Sequence, residues 1–209
     1  MHAIFLDRDG VISENRADHV KSWEEFRFIP GSLAALRWLR EAGFRTFVVT
    51  NQAVVNRGIV PTAVIDDIHT QMRWHIQQHG GLIDDLNFCP HDTSEGCACR
   101  KPRPGMLIQL AAKWNIDLAR SYMVGDAWTD MAAGRAANCR CVMVQTGRGA
   151  EHSLMLEARQ APADHIAADL AGAVDWILGQ EGFTLSQLRN AVQSTYAPGS
   201  AWNSARAVA

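Results

Sequence analysis

A chain of 209 residues, 47% hydrophobic and 20% charged, can bury one domain plus an appendage and lacks the bias of a disordered or fibrous protein. Its net charge of −2 supplies no field that would recruit nucleic acid or an acidic membrane surface, so any anion must be held by local groups. The N-terminus enters a strand without a secretion signal and no run of about 18 apolar residues occurs, so the expectation is a cytoplasmic monomer with small partners.

The first element is the run Ile4-Phe5-Leu6-Asp7-Arg8-Asp9-Gly10-Val11, an apolar strand that ends in two carboxylates and a glycine. Such a run, lacking polar alternation, predicts a parallel strand covered on both faces, with its ligand crevice beyond the carboxyl end. Two carboxylates two residues apart repel each other unless a cation or a shared proton offsets them, and a hard divalent cation takes such oxygens. Ser13 to Glu25 is a polar connection and is expected to loop over that crevice.

Ser32 to Ala42 is then predicted as a helix with Leu33, Leu36 and Leu39 on one face and Gly43 as its stop. Arg45 to Val49 is a strand that delivers Thr50 and Asn51 at its end, Thr50 facing the crevice of Asp7. After a loop carrying Arg57-Gly58, Pro61 opens a helix on which Ile65, Ile68, Met72 and Ile76 recur at helical spacing. His69, His75 and His79 ride on it at spacings that make no common ligand face, and a solvated surface with no chemistry is the expectation for them. Asp85 to Phe88 is a short strand.

There follow Cys89-Pro90-His91 and, after five residues, Cys97-Ala98-Cys99: three thiols and an imidazole within eleven residues. Four such ligands make a closed tetrahedral Zn²⁺ set, structural in role because no coordination position is left open. The ion would clamp the loop that presents Arg100 and Lys101. That basic run, Arg100-Lys101-Pro102-Arg103-Pro104-Gly105, is stiffened by prolines and leads into a helix N-terminus bearing Leu107, Leu110, Ala111 and Trp114, a setting suited to phosphate.

Tyr122 to Val124 is a strand ending in Gly125-Asp126, and Thr129 to Ala137 the following helix. Asp126 is expected at the crevice and Asp130 one turn into the helix behind it, where they can complete an oxygen cage with Asp7. Cys141 to Val144 is a strand ending in Thr146-Gly147-Arg148-Gly149, and Cys139 and Cys141 read as small core or turn residues. Ala167 to Leu178 reads as a strand end and helix, Ser186 to Val192 as another helix, and 195–209 as a loose tail. Strands alternating with helices call for a doubly wound parallel α/β sheet, with one domain over 1–180 and a C-terminal helix and tail over 181–209.

With Asp7-Arg8-Asp9-Gly10, Thr50, Lys101 and Gly125-Asp126 in this order, the chain resembles the haloacid dehalogenase superfamily of Mg²⁺-dependent phosphohydrolases over about residues 1 to 150. The resemblance implies a Rossmann-like fold in which Asp7 is the nucleophile that forms an aspartyl-phosphate and Asp9 the acid that later turns base. It further implies that Thr50 and Lys101 hold phosphoryl oxygens, and that Asp7, the Asp9 backbone carbonyl and Asp126 bind Mg²⁺, with Asp130 behind them. The zinc loop of Cys89, His91, Cys97 and Cys99, and the absence of room for a large cap, resemble one branch, the heptose bisphosphate phosphatases and the histidinol-phosphate phosphatases. Arg100-Lys101-Pro102, Thr50-Asn51-Gln52 with Arg57-Gly58, and Thr146-Gly147-Arg148 resemble the heptose enzymes. The short spacing from His91 to Cys97 resembles the histidinol-phosphate enzymes. A small phosphorylated metabolite is thus the expected partner, a heptose 1,7-bisphosphate cleaved at its 7-phosphate or alternatively histidinol phosphate, with Asn51, Arg57, Arg100 and Arg148 available to grip it. A zinc-stabilised, non-catalytic binding module is the reading from a different class.

Overall fold

The computed structural model describes residues 1–184 and 186. Six strands form one parallel sheet: β1 (Ala3–Leu6), β2 (Arg45–Asn51), β3 (Asp85–Cys89), β4 (Tyr122–Gly125), β5 (Arg140–Val144) and β6 (His165–Ala167), in the spatial order β3-β2-β1-β4-β5-β6. From β1 the chain winds outward through β2 and β3, then returns to add β4, β5 and β6 on the other side. The order therefore reverses between β1 and β4, and the crevice at such a reversal is where open α/β sheets bind ligands.

Successive side chains of a strand face opposite sides of the sheet, so an all-apolar strand must be covered on both. Ile4, Leu6, Val48, Val124 and Val142 pack on one face with α1 (Ser32–Glu41), α2 (Thr62–Gln78) and α6 (Leu170–Gln180). Phe5, Phe47, Val49, Met123 and Met143 pack on the other with α3 (Gly105–Trp114) and α4 (Trp128–Ala136). This is the doubly wound α/β architecture that the alternation of elements predicts. A four-residue helix, α5 (Gly149–His152), follows β5 and borders the crevice.

Element ends differ from expectation by a residue or two, as terminal turns fray. The β2 ladder runs on past Val49, pairing Thr50 with Phe88 and Asn51 with Cys89, so both lie within the strand rather than beyond it. On α1 the buried stripe is Ser32, Ala35, Leu36 and Leu39, with Leu33 only partly covered. Between Ser13 and Trp23 the chain has no strand or α-helix, and Asn15, Arg16, His19 and Val20 do line the crevice. Among the described residues no helix is long and apolar enough to cross a membrane. The helix read over Ser186 to Val192 and the tail over 195–209 lie outside the described residues, apart from Ser186.

The expectation for the helix-borne histidines is corrected at His69. It is 5% exposed because it follows Ile68 and lies one turn past Ile65, on the buried face of α2, and Arg8 supplies its polar partner there. His75 stacks on Trp23 with ring centroids 4.9 Å apart, and only His79 is fully exposed.

Candidate active site

A cleft of about 580 Å³ opens over the carboxyl ends of the strands and is lined by Asp7, Asp9, Thr50, Asn51, Arg57, Arg100, Lys101, Asp126, Asp130 and Arg148 among others. Every residue expected to carry chemistry with a phosphate thus meets in one place, from five separate segments of chain.

Asp7 follows β1 and remains tied to β4, its N–H donating to the Val124 carbonyl at 3.0 Å. Lys101, 3% exposed, forms ion pairs from Nζ with Asp7 Oδ1 (2.9 Å) and Asp130 Oδ1 (2.6 Å) and donates a hydrogen bond to the Val49 carbonyl (2.8 Å). Burial alone would depress the lysine pKa, but Asp130 and Asp7 overrule it and raise it, so Lys101 stays charged. Asp130 stands at the third position of α4, where its Oδ2 accepts the Ala127 N–H at 3.0 Å, and so acts both as first-turn acid and as lysine partner.

Asp126 is 2% exposed and receives the Arg148 N–H on Oδ2 at 2.9 Å. Two glycines make room for it. A Cβ on Gly10 would stand 2.0 Å from Asp126 Oδ2 and one on Gly147 2.2 Å from it, and both residues hold positive φ (+87° and +60°). Thr146 locks this approach by donating its hydroxyl to the Gly10 carbonyl at 2.6 Å.

Carboxylate oxygens of Asp7, Asp126 and Asp130 lie within 4.8 Å of one another. Burial pushes Asp7 up to about 6 despite Lys101, and burial with the neighbouring Asp7 and Asp130 charges pushes Asp126 up to about 8. Buried carboxylates that one ammonium does not neutralise fit a divalent cation with oxygen preference. The Asp9 side chain, read from the sequence with Asp7 as a carboxylate pair that calls for a cation, is not part of this trio. Its carboxylate turns to Arg8 Nη2 (2.8 Å), Gln52 Nε2 (2.8 Å) and Ser13 Oγ (3.2 Å). Burial would raise the Asp9 pKa, yet Arg8 and these hydrogen bonds hold it below the ordinary carboxylate value.

Gln52 escaped the sequence reading as an individual residue, although it stands two positions after Thr50. Its Nε2 donates to Asp9 Oδ2 and, at 2.9 Å, to Thr50 Oγ1. With one lone pair of Thr50 engaged, the hydroxyl proton is free to be given to a phosphoryl oxygen. Asn51, expected to grip substrate, instead braces the lysine loop through both ends of its amide, donating to the Lys101 carbonyl and accepting the Lys101 N–H at 3.1 Å each.

Cys89, His91, Cys97 and Cys99 converge, with Sγ–Sγ distances of 3.3, 3.4 and 3.5 Å and His91 Nδ1 at 3.5 and 3.3 Å from Cys89 and Cys99. The three cysteines are free thiols. Zn–S bonds of about 2.3 Å set thiolates roughly 3.8 Å apart around a tetrahedral ion, close to this arrangement, so the residues fit Zn²⁺. Arg100 donates to the His91 carbonyl (3.0 Å) and Arg103 to the Cys97 carbonyl (2.9 Å), fastening the basic run to this cluster. Arg57 pairs with Asp92 of the same loop at 2.6 Å.

A Rossmann-like sheet with an acid pair after β1, a threonine on β2, a buried lysine before α3 and an acid after β4 defines the class of haloacid dehalogenase-like hydrolases. A family model described as HAD-hyrolase-like matches residues 98–173. The chain is 37% identical over 178 residues to the D-glycero-beta-D-manno-heptose-1,7-bisphosphate 7-phosphatase of Bordetella bronchiseptica, covering 85% of this chain and 98% of that protein. It is 37% identical over 202 residues to the Yersinia pestis protein of the same name, covering 93% and 96%. The crystal structure of D,D-heptose 1,7-bisphosphate phosphatase from B. bronchiseptica, complexed with magnesium and phosphate, superposes with a TM-score of 0.80 at 38% identity, covering 86% of this chain and 99% of that one. The chain belongs to this heptose-1,7-bisphosphate 7-phosphatase family of phosphoric monoester hydrolases.

Proposed function

We propose that the protein removes the 7-phosphate of D-glycero-beta-D-manno-heptose 1,7-bisphosphate through an aspartyl-phosphate on Asp7. The observation that supports this most is the near-full-length match to relatives of that name, one of them holding magnesium and phosphate. It favours the heptose over the histidinol-phosphate branch, despite the short His91–Cys97 spacing, and a catalyst over a binding module.

Asp7, oriented by Lys101, attacks phosphorus as the bond to the sugar oxygen breaks, and Asp9, which must first take up a proton beside the bound anionic substrate, gives that oxygen its proton. Asp9 then takes a proton from water, which attacks the aspartyl-phosphate and releases phosphate with Asp7 restored. Thr50 and Lys101 hold the phosphoryl oxygens while charge shifts among them. Mg²⁺, held by Asp7, the Asp9 backbone carbonyl and Asp126 with Asp130 behind, supplies neutralisation between anionic nucleophile and anionic substrate. Cys89, His91, Cys97 and Cys99 would hold Zn²⁺, which would keep Arg100 and Lys101 in place. Arg57, Arg100 and Arg148 border the same cleft and are positioned to meet the remaining 1-phosphate, a task suited to guanidinium forks. Asn51 contributes by holding the Lys101 backbone. The cleft suits a small phosphorylated metabolite, and the protein is read as a cytoplasmic monomer.

Phosphorus NMR of the turnover mixture tests this reading. The product should retain its anomeric phosphate and lose the primary one; loss of the anomeric phosphate would refute it.

A further inference from the structure

Arg8 stands between the two aspartates yet does not line the cleft, and it is fully buried. Its Nε and Nη2 fork onto the two Asp9 oxygens at 3.1 and 2.8 Å, and its Nη1 lies 3.1 Å from His69 Nε2. A guanidinium can only donate, so Nε2 must be the acceptor and the imidazole neutral, with its proton on Nδ1. Burial and the Arg8 charge hold the His69 pKa down at about 3, in keeping with that tautomer. The ring itself is fixed by α2 and by Phe88, whose centroid is 5.5 Å away.

The fork alone could not fix Asp9, because Arg8 and Asp9 are chain neighbours and can shift as a unit. His69 ties the pair to a helix of the scaffold. Ser13 and Gln52 hold the carboxylate through single hydrogen bonds, whereas among the described residues only His69 restrains the arginine through its third nitrogen. We propose that His69 is a positioning residue for catalysis, anchoring Arg8 so that the Asp9 carboxylate is aimed at the leaving oxygen. The proposal rests on Asp9 acting as the acid and base, as read above.

Its test exploits the leaving group. A sugar alkoxide departs only with a proton, whereas p-nitrophenolate departs nearly as well without one, so loss of aim should harm the first substrate more. His69→Leu should lower kcat on heptose 1,7-bisphosphate by about tenfold or more, with KM changed by less than about twofold, and should lower kcat on p-nitrophenyl phosphate distinctly less. His69→Gln places an amide oxygen where Nε2 stood and should recover most of the loss. If His69→Leu does not fold, His69→Asn, whose oxygen falls short of Arg8, takes its place in the same comparison. Equal losses on both substrates, no loss at all, or a glutamine variant no better than the other would overturn the proposal. Asp9→Asn is measured alongside: if it turns over heptose 1,7-bisphosphate normally, the acid role of Asp9 fails and this inference with it. An inactive Asp9→Asn beside a normal His69→Leu removes the inference alone.

Discussion

Two groups of metal-ligating side chains flank Lys101, and they are built in opposite ways. The oxygen cluster of Asp7, Asp126 and Asp130 gathers residues from the ends of β1 and β4 and the first turn of α4, all at most 9% exposed. The sulfur cluster comes from one short stretch, Cys89 to Cys99, and only Cys89 in it is buried. Strands and a helix hold the first in place without help. The second lies on a loop and only edges onto the core, so a shared ion would add most to its stability. On the proposed reading, an ion at the first would serve turnover, whereas one at the second would serve folding.

Asp7→Asn sharpens that contrast most. Replacing a covalent nucleophile that the scaffold positions should cost on the order of 10⁴-fold or more in kcat, with the circular dichroism spectrum unchanged. Near-normal turnover would remove the covalent route.

Withdrawing each ion in turn comes next. Stripping zinc, or Cys97→Ser, should cost at least about 4 kcal/mol of stability, on the order of 8–16 °C in Tm for a chain of this length. Omitting Mg²⁺ should stop turnover yet move Tm by only about 3–6 °C, since an ion at about ten times its Kd adds roughly 1.4 kcal/mol. Comparable shifts in Tm for the two would erase the distinction.

Gly147→Ala probes how the oxygen cluster is packed. The added methyl would stand 2.2 Å from Asp126 Oδ2 and 2.5 Å from Gly10 Cα, so Asp126 must move, and activity should fall by about tenfold. Gly58→Ala is the control: its φ is +67° but nothing lies within 4 Å, so only backbone strain of about 1 kcal/mol is expected. Equal behaviour of the two would mean that the close approach at Asp126 is unimportant.

A further effect is a pH dependence at His69, beside the rigid site. Its folded pKa of about 3 lies below the unfolded value of 6.5, so the unfolded chain binds this proton first as the solution is acidified. Stability from this group is present above 6.5 and is lost progressively as pH falls toward 3. The Tm of His69→Gln should therefore decline less steeply between pH 6.5 and 4 than that of the unaltered protein, and parallel curves would contradict the buried neutral imidazole.

Much of this was legible in the sequence because parallel strands announce themselves. The apolar runs ending in Asp7, Thr50 and Asp126 indicated both the sheet and the crevice, and cysteine spacing indicated the second cluster. Contacts between distant segments were not legible. His69 falls on the apolar stripe of α2, four residues after Ile65 and three before Met72, so its burial follows from helical spacing, whereas nothing local reveals that Arg8 is its partner. Gln52 and Asn51 are neighbours at the end of β2, yet their side chains part, one going to Asp9 and the other to the Lys101 backbone. The approach of Gly10 to Gly147 joins residues 137 positions apart, and only the adjacency of β1, β4 and β5 brings it about.

The most direct measurement is kcat/KM for D-glycero-beta-D-manno-heptose 1,7-bisphosphate beside its alpha anomer and histidinol phosphate, in Mg²⁺ and with zinc-loaded protein. Each charge-assisted contact to the second phosphate contributes about 1.5–3 kcal/mol, so the beta bisphosphate should exceed histidinol phosphate by at least about ten- to a hundredfold and be turned over faster than the alpha anomer. More efficient turnover of histidinol phosphate would contradict the account.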